Sequence, residues 1–473
     1  MSLIKFGTDG WRAVIARDFT YSNCQLVAQG IASYINDYNL KKKGIVIGYD
    51  NRFMSQDFAR ECARVMAGNG IKALLLKKAT PTPVTAFAVT VKEAGGAVMI
   101  TASHNPPEYN GIKFIPEYAG PALPDVTDRI EAEINRVSGG GRVYGLDLRE
   151  AEPLGLFEEI DVDQDYVGHL HKILQVGHFQ NKKISVVVNP MYGSGISYLD
   201  SILSDLGCEV KTINNYRDPL FGGSMPEPVD RLLTDLKAAV VRHEATVGLA
   251  LDGDADRFGI VDENGEFVSA NRIMSLLFNH LLQTRNFRGP VCRSIATTHM
   301  LDRIARKNGL ECIETAVGFK YIGEALRARG CMLGGEESGG LSILGHVPEK
   351  DGILAGLLVV EMLSYSGKTL GQLTEELQQE YGNIVNQRFD IQVEEHKKTM
   401  IMEKLDEFHP RSIAGVRVEG YNRLEGSQIL MEDGSWILIR ASGTEPVFRI
   451  YIEAGDPVRL QEIRAEVAVH LDL

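Results

Sequence analysis

Four short stretches hold residue types that chemistry requires. The first is Thr101-Ala-Ser-His-Asn-Pro-Pro107, where Ser103 is followed by His104 and then by Lys113 in Asn110-Gly-Ile-Lys-Phe114. A serine hydroxyl becomes a nucleophile when a base and positive charge stand beside it. An ordinary Ser/Asn/Pro turn fits the same residues. The second is Asp252-Gly-Asp-Ala-Asp-Arg257. Carboxylates at alternate positions, Asp252, Asp254 and Asp256, can converge on one hard cation and leave positions open for a phosphate oxygen, which suits Mg²⁺. An EF-hand loop needs glycine where Arg257 stands, and its flanks should be helical, whereas Leu249 to Leu251 and Phe258 to Val261 read as strands. A solvated acidic turn is the other reading. The third stretch is Gly334-Gly-Glu-Glu-Ser-Gly-Gly340. Its glycines admit close backbone approach, and Glu336, Glu337 and Ser338 suit sugar hydroxyls; a glycine-rich turn with solvated acids is the alternative. The fourth is Arg440-Ala-Ser-Gly-Thr-Glu-Pro446, with Arg449 beyond it. Backbone N–H groups, small hydroxyls and guanidinium forks make a phosphate cradle, and a plain strand-to-strand turn accounts for it equally.

Such loops need a scaffold that brings them together. Gly44 to Asp50, Ala73 to Leu76 and Ala97 to Ile100 read as buried strands, with a helical pattern from Gln56 to Gly70 between the first two. That βαβ rhythm predicts a mostly parallel sheet covered by helices, with ligands at the carboxyl ends of the strands. The rhythm restarts at Ile184 to Val188 with Val247 to Asp252, and again at Val291 to Ala296 with Cys312 to Thr315, separated by a helical Thr298 to Asn308. The last part differs. Arg388 to Val393 is strand-like and Glu394 to Phe408 helix-like; Glu432-Asp-Gly-Ser435 turns a hairpin between Gln428 to Met431 and Trp436 to Ile439; Phe448 to Ile452 and a helix from Pro457 to His470 follow. The fold class is α/β: three related α/β modules with mixed, mostly parallel sheets, at 1–155, 156–266 and 267–383, plus a smaller α+β domain at 384–473.

Composition bounds the function. Apolar residues make up 44% and charged residues 24% of 473, and the net charge is −13. These are globular values, and the acidic balance argues against nucleic-acid or anionic-membrane partners. An anionic ligand would therefore need local Arg and Lys clusters. No stretch approaches the roughly 20 apolar residues that span a bilayer, and Met1 to Arg12 lacks a signal-peptide core. Six scattered cysteines without a CxxC pair suggest reduced thiols in a cytoplasmic protein.

In this order, the four loops resemble those of the α-D-phosphohexomutase family, which interconverts hexose 1-phosphates and 6-phosphates. The resemblance runs from Phe6-Gly-Thr-Asp-Gly-Trp-Arg12 through Gly48-Tyr-Asp-Asn-Arg52 to the Arg440 loop. It implies four domains around a central cleft. It also implies a phosphoserine at Ser103, with Mg²⁺ held by Ser103, Asp252, Asp254 and Asp256. Arg257 would lie beside the reaction centre, and Glu336 and Ser338 would meet sugar hydroxyls. A distal phosphate would sit on Ser442, Gly443 and Thr444, supported by Arg440 and Arg449. Val317-Gly-Phe-Lys-Tyr-Ile322 makes Lys320 an acid/base or phosphate contact, and Arg12, His104 and Lys113 complete the catalytic set. Many bacterial members have histidine where this chain has Gly340. Here His346-Val-Pro-Glu-Lys-Asp-Gly352 looks like the phosphoglucomutase branch, which implies ligand contacts at His346 and Lys350.

The implied reaction passes a phosphoryl group through the serine and a hexose 1,6-bisphosphate, which also serves as activator. Its substrate is a small phosphosugar, glucose or mannose. A phosphoglucosamine mutase usually carries Gln in the sugar loop and Val-Gly-Asp-Arg in the third module; Glu337 and Phe319-Lys320 stand there instead. A catalytically dead phosphosugar-binding protein would have lost the serine or a metal carboxylate, and neither is lost. Oligomeric state is not written in the sequence.

Overall fold

The computed structural model describes residues 4–7, 10–180, 184–441 and 447–471. Each of the first three domains is built on one scheme. A central strand pairs in parallel on both sides, and one flanking strand turns back as an antiparallel hairpin. In the first domain Ile45–Tyr49 lies between Ala73–Leu76 and Gly96–Ile100, and Gly96–Ile100 turns into Tyr109–Pro116. In the second, Ser185–Asn189 lies between Glu209–Thr212 and Val247–Leu251, which turns into Phe258–Val261. In the third, Val291–Ser294 lies between Cys312–Thr315 and Leu333–Glu336, which turns into Gly340–Ile343. The three hairpin turns are the serine loop, the aspartate loop and the Glu337 turn. Equivalent positions in three domains thus carry three different sets of polar residues.

The local reasons are visible in the sequence. Strands such as Ile-Val-Ile-Gly-Tyr at 45–49 are buried along their whole length, as a sheet covered on both faces requires. Some helices begin at oxygen-bearing caps: Thr20 accepts from the Asn23 amide and Asp351 from the Leu354 amide. Phe157–Ile160 pairs in parallel with Ala73–Leu76, which carries the first sheet beyond residue 155. Phe267–Val268 likewise extends the second sheet past residue 266.

The fourth domain is a six-stranded antiparallel sheet in the order Val385–Gln392, Val447–Ala454, Trp436–Ala441, Ser427–Met431, Val416–Asn422 and Ser412–Ile413. The hairpin around Glu432 to Ser435 is present, with Ser427 opposite Ile439. The helices Glu395–Glu407 and Pro457–Leu471 pack with it. One sheet face forms this domain's own core, including Ile437, Ile450 and Ile452. The other presents Trp436, Leu438 and Tyr451 to Ile295 and Ala296 of the third domain.

The helix Gly352–Ser366 joins the second and third domains. It is apolar nearly all round and buried nearly throughout, as a helix inside a core should be. Leu357 and Leu358 share a core with Leu199, Leu249 and Ile260 of the second domain and Phe87 of the first. No single helix among the described residues is long and apolar enough to cross a membrane. None of the six cysteines is in a disulfide.

One buried acid on that helix ties distant chain segments together. Glu361 is 0% exposed and accepts from His280 Nε2 at 2.8 Å, Arg285 at 2.9 Å and the Gln175 amide at 2.7 Å. Removing one partner of a buried charge network leaves the others uncompensated, at a cost of about 3–5 kcal/mol. Glu361→Ala should therefore lower the urea midpoint markedly, read by circular dichroism. A midpoint unchanged from wild type would show that the network contributes little.

Candidate active site

Ser103 follows directly from the strand Gly96–Ile100, in the left-handed region with φ 51°. A non-glycine residue holds that conformation only when its surroundings enforce it, and here they do. The Thr101 hydroxyl accepts from the Ser103 amide at 2.8 Å and donates to Asp50 Oδ2 at 2.6 Å. Arg52, fully buried, donates to four backbone carbonyls of this loop: Ser103 and Asn105 at 2.6 Å, Pro106 at 2.8 Å and Tyr109 at 3.0 Å. Asp50 neutralises it from 3.2 Å, and the Phe221 ring covers it at 4.9 Å. Arg12 donates to Asn105 Oδ1 at 2.6 Å. The clamp Asp50–Arg52 and the prop Thr101 carry no role in the sequence reading. Their only signal was the segment Gly48 to Arg52, which marks a motif without saying what its arginine holds.

The Ser103 hydroxyl donates to Asp252 Oδ2 at 2.9 Å and lies 3.2 Å from His104 Nδ1. Burial, and after it the charges of Arg257, Arg12 and Lys113, push the His104 pKa far down, which keeps its ring neutral. The aspartate loop meets the serine loop backbone to backbone. A Cβ on Gly253 would stand 2.5 Å from the Ser103 carbonyl oxygen, so only glycine fits there.

Asp252, Asp254 and Asp256 are all buried, and one oxygen of each lies within 4.8 Å of the others. Lys113 bonds Asp254 Oδ2 at 2.9 Å and Asp256 Oδ2 at 3.0 Å. Lys350 reaches Asp256 Oδ2 at 3.2 Å, and Thr82 donates to Asp254 at 2.7 Å. Burial would raise the Asp254 carboxyl, but Lys113 and Thr82 hold it below the ordinary range. Asp252 has no ammonium on it among the described residues; it accepts from the Ser103 hydroxyl and from the Arg257 amide at 3.0 Å. Burial, then the charges of Asp254 and Asp256, drive its pKa well up. Asp254 Oδ1 and Asp256 Oδ1 are buried without a hydrogen-bond partner. An all-oxygen set with spare lone pairs and excess negative charge fits a hard divalent cation such as Mg²⁺, held by these three carboxylates beside Ser103. Arg257 stands between this group and Glu336: its guanidinium feels Asp256, Asp252, Glu227 and Glu336, and its Nε lacks a hydrogen-bond partner.

In the third domain Glu336 accepts from the Gly318 amide at 2.8 Å. Burial, with Glu337 next to it, pushes its carboxyl up to about 7. Glu337 accepts from Ser294 at 3.2 Å and Thr297 at 3.3 Å, and Ser338 is half-buried in the turn. Lys320 opens the helix Phe319–Arg329, with Nζ 5.4 Å from the Tyr321 ring and no carboxylate partner among the described residues. His346 goes elsewhere. Its side chain is fully buried; Nε2 donates to Asp351 at 2.8 Å, and Nδ1 meets His169 Nε2 at 3.1 Å. Tyr166 donates to the same Asp351 oxygen at 2.6 Å. Both ring nitrogens are thus committed to a joint between the second and third domains, and the structure does not bring this ring to the carboxylates. In the fourth domain Arg440 pairs with Glu425 and lies across the ladder from Arg449. Ser442, Gly443 and Thr444 fall outside the described residues.

Comparison with known proteins gives one result across the chain. The domain descriptions of phosphoglucomutase/phosphomannomutase match in order: alpha/beta/alpha domain I at 3–139, domain II at 164–265, domain III at 269–381 and the C-terminal domain at 391–470. A Thermococcus kodakarensis protein named phosphoglucomutase/phosphomannomutase is 30% identical over 97% of this chain and 96% of its own. A Pyrococcus abyssi protein named as a probable phosphoglucosamine mutase is 32% identical over 97% and 95%. The crystal structure of a Thermus thermophilus protein, assigned as a phosphomannomutase, superposes with a TM-score of 0.86 at 31% identity over all of both chains.

The Arg52 clamp yields a direct test. Lysine keeps the charge but cannot reach four carbonyls with one fork. A shift of about 1 Å at a reacting atom costs on the order of 10²-fold in rate. Arg52→Lys should therefore lower kcat by about that factor while KM moves little. A variant with wild-type kcat would show that the serine loop holds its shape without the guanidinium.

Proposed function

The chain belongs to the phosphoglucomutase/phosphomannomutase family of enzymes, and from that premise we propose that it interconverts hexose 1-phosphates and hexose 6-phosphates of glucose and mannose. The observation that carries this reading is the Ser103 hydroxyl at 2.9 Å from Asp252, within a buried triple of carboxylates that has spare oxygens. A phosphoryl group on Ser103 would pass to the free hydroxyl of a bound hexose phosphate. The sugar oxygen–phosphorus bond forms as the serine oxygen–phosphorus bond breaks, giving a hexose 1,6-bisphosphate. After reorientation, Ser103 takes back the other phosphate. In the first transfer the sugar hydroxyl gives up its proton and the released Ser103 oxygen takes one up. In the second the Ser103 hydroxyl gives up its proton and the departing sugar oxygen takes one up, so the cycle conserves protons, with the His104 ring 3.2 Å from the Ser103 oxygen. Mg²⁺ held by Asp252, Asp254 and Asp256 would offset charge on the transferring group. Arg12, Arg257, Lys113 and Lys320 add the positive field that phosphoryl transfer needs. Glu336, Ser338 and Lys350 would orient the sugar, with the Arg440 to Arg449 loop on the idle phosphate. Hexose 1,6-bisphosphate would serve as activator by restoring the phosphoserine.

Relatives named for glucosamine keep a second reading open. ³¹P NMR with glucose 1-phosphate, mannose 1-phosphate and glucosamine 1-phosphate, each primed with its bisphosphate, separates the two. Glucose 1-phosphate should show the highest kcat/KM; a higher value for glucosamine 1-phosphate would transfer the assignment. Peptide mass spectrometry should find phosphate on Ser103, and Ser103→Ala should lose nearly all turnover. Wild-type turnover in Ser103→Ala would end this mechanism for every sugar.

Glu336 sets a pH dependence. Its ionised form accepts sugar hydroxyls best, and a carboxyl with pKa about 7 is about 10% ionised one unit below that. Because the folded value lies above the ordinary carboxylate range, ionisation is gained as pH rises through 7. Wild-type kcat/KM should climb between pH 6 and 8 more steeply than that of Glu336→Gln, which shares the substrate's own titration. Parallel profiles would exclude Glu336 as the titrating group.

A further inference from the structure

A cavity of about 140 Å³ with mixed polar and apolar lining lies at the joint between the third and fourth domains, apart from the residues described above. A single water needs only about 10–15 Å³ of such space, so a small anion fits. Arg272, Thr374, Gln378 and Asn386 line it, together with Ser269 at the start of the helix Ala270–Thr284. No carboxylate is in its lining, although Asp and Glu number 63 in this chain.

Two observations point to a ligand. Thr374 is 9% exposed, and its hydroxyl has no hydrogen-bond partner among the described residues. The Arg272 guanidinium, half-buried, likewise has no ion pair or hydrogen-bond acceptor among them. Burial lowers its pKa with no neighbouring charge to oppose the effect. Arginines withdrawn from water are ordinarily paired. The Gln378 and Asn386 amides are also without partners among the described residues, and the nearby helix N-terminus adds positive potential.

We propose that this cavity is a second anion site, which binds a small phosphate or carboxylate through Arg272 and Thr374. Asn386 belongs to the first strand of the fourth domain, while Arg272, Thr374 and Gln378 belong to helices of the third. A ligand held from both sides favours the domain arrangement that forms the cavity. Turnover that requires the fourth domain to move would then slow. The kinetic consequence rests on the mutase reading; the binding site does not.

The test combines diffraction with kinetics. Crystals soaked in sodium selenate should give an anomalous peak between Arg272 and Thr374, absent in Arg272→Gln crystals. In mutase assays, inorganic phosphate and malonate form separate arms. With the effective anion, wild-type kcat at saturating sugar phosphate should fall at least threefold. Arg272→Gln should lose that fall yet keep the rise in apparent KM caused by competition in the main cleft, and Thr374→Val should weaken the fall. Without anion both variants should keep wild-type kcat. An effect of phosphate alone identifies a phosphate ligand; an effect of malonate identifies a carboxylate. Selenate only in the main cleft would overturn the site. A kcat effect equal in wild type and Arg272→Gln, or none with either anion, would overturn its role in turnover.

Discussion

The structure depends on a charge problem at one point. Three carboxylates are buried with oxygens within 4.8 Å of one another, beside a serine hydroxyl. At an effective dielectric of about 20, each like-charged pair at that spacing costs roughly 3–4 kcal/mol. The chain meets this with cations drawn from different domains. Lys113 comes from the first, Arg257 from the loop itself and Lys350 from the third. Each is fixed by its position on a hairpin or at a helix start, so the domains must be docked for the carboxylates to be compensated. Docking and charge compensation are therefore one requirement. Among the described residues Asp252 receives no ammonium: burial and the charges of Asp254 and Asp256 raise its pKa, and its bonds come from the Ser103 hydroxyl and the Arg257 amide.

The repeated hairpin explains how such a site is assembled. A turn between two antiparallel edge strands projects beyond the sheet, held at both ends by ladder hydrogen bonds. Three domains that use the same turn at the same topological place direct three loops toward one cleft, and the loops can diverge freely because the ladders need only the strands. The contact between Phe258 and Gly339 shows the result, with the Phe258 amide donating to the Gly339 carbonyl at 3.0 Å. The aspartate loop of the second domain is thereby hydrogen-bonded to the Glu336 loop of the third.

The sequence made most of this scaffold readable. Strands such as Ala73–Leu76 declare themselves through unbroken apolar runs, and the Glu432 to Ser435 turn through its residue types. The acidic loop was readable as a converging group because its carboxylates alternate directly after a strand. Two kinds of feature were not. Strands that join a sheet across a long interval, such as Phe157–Ile160, take their partner from tertiary packing, which periodicity does not encode. Side chains that hold backbone rather than ligand leave no type-specific trace. Arg52 grips four carbonyls and His346 bridges Asp351 and His169, yet a lone arginine and a lone histidine read alike as ligand contacts or as structure. Only coordinates reveal that one is a clamp and the other an interdomain tie.

Position 340 shows how a local departure from the family pattern can be understood through packing. A Cβ there would stand 2.5 Å from Lys350 Cδ and 2.8 Å from its Cγ. Real side chains do not approach so closely, so histidine at 340 and Lys350 in its present course exclude one another. With glycine, the lysine stem passes over the hairpin, is 5% exposed and brings Nζ to Asp256, 5.5 Å from the Phe319 ring. A buried ammonium is costly unless paired, and Asp256 with Glu349 at 3.6 Å supplies the pairing. Glycine at 340 is thus coupled to the course that brings the Lys350 ammonium to the carboxylates, and neither position can be interpreted from its own residue type alone.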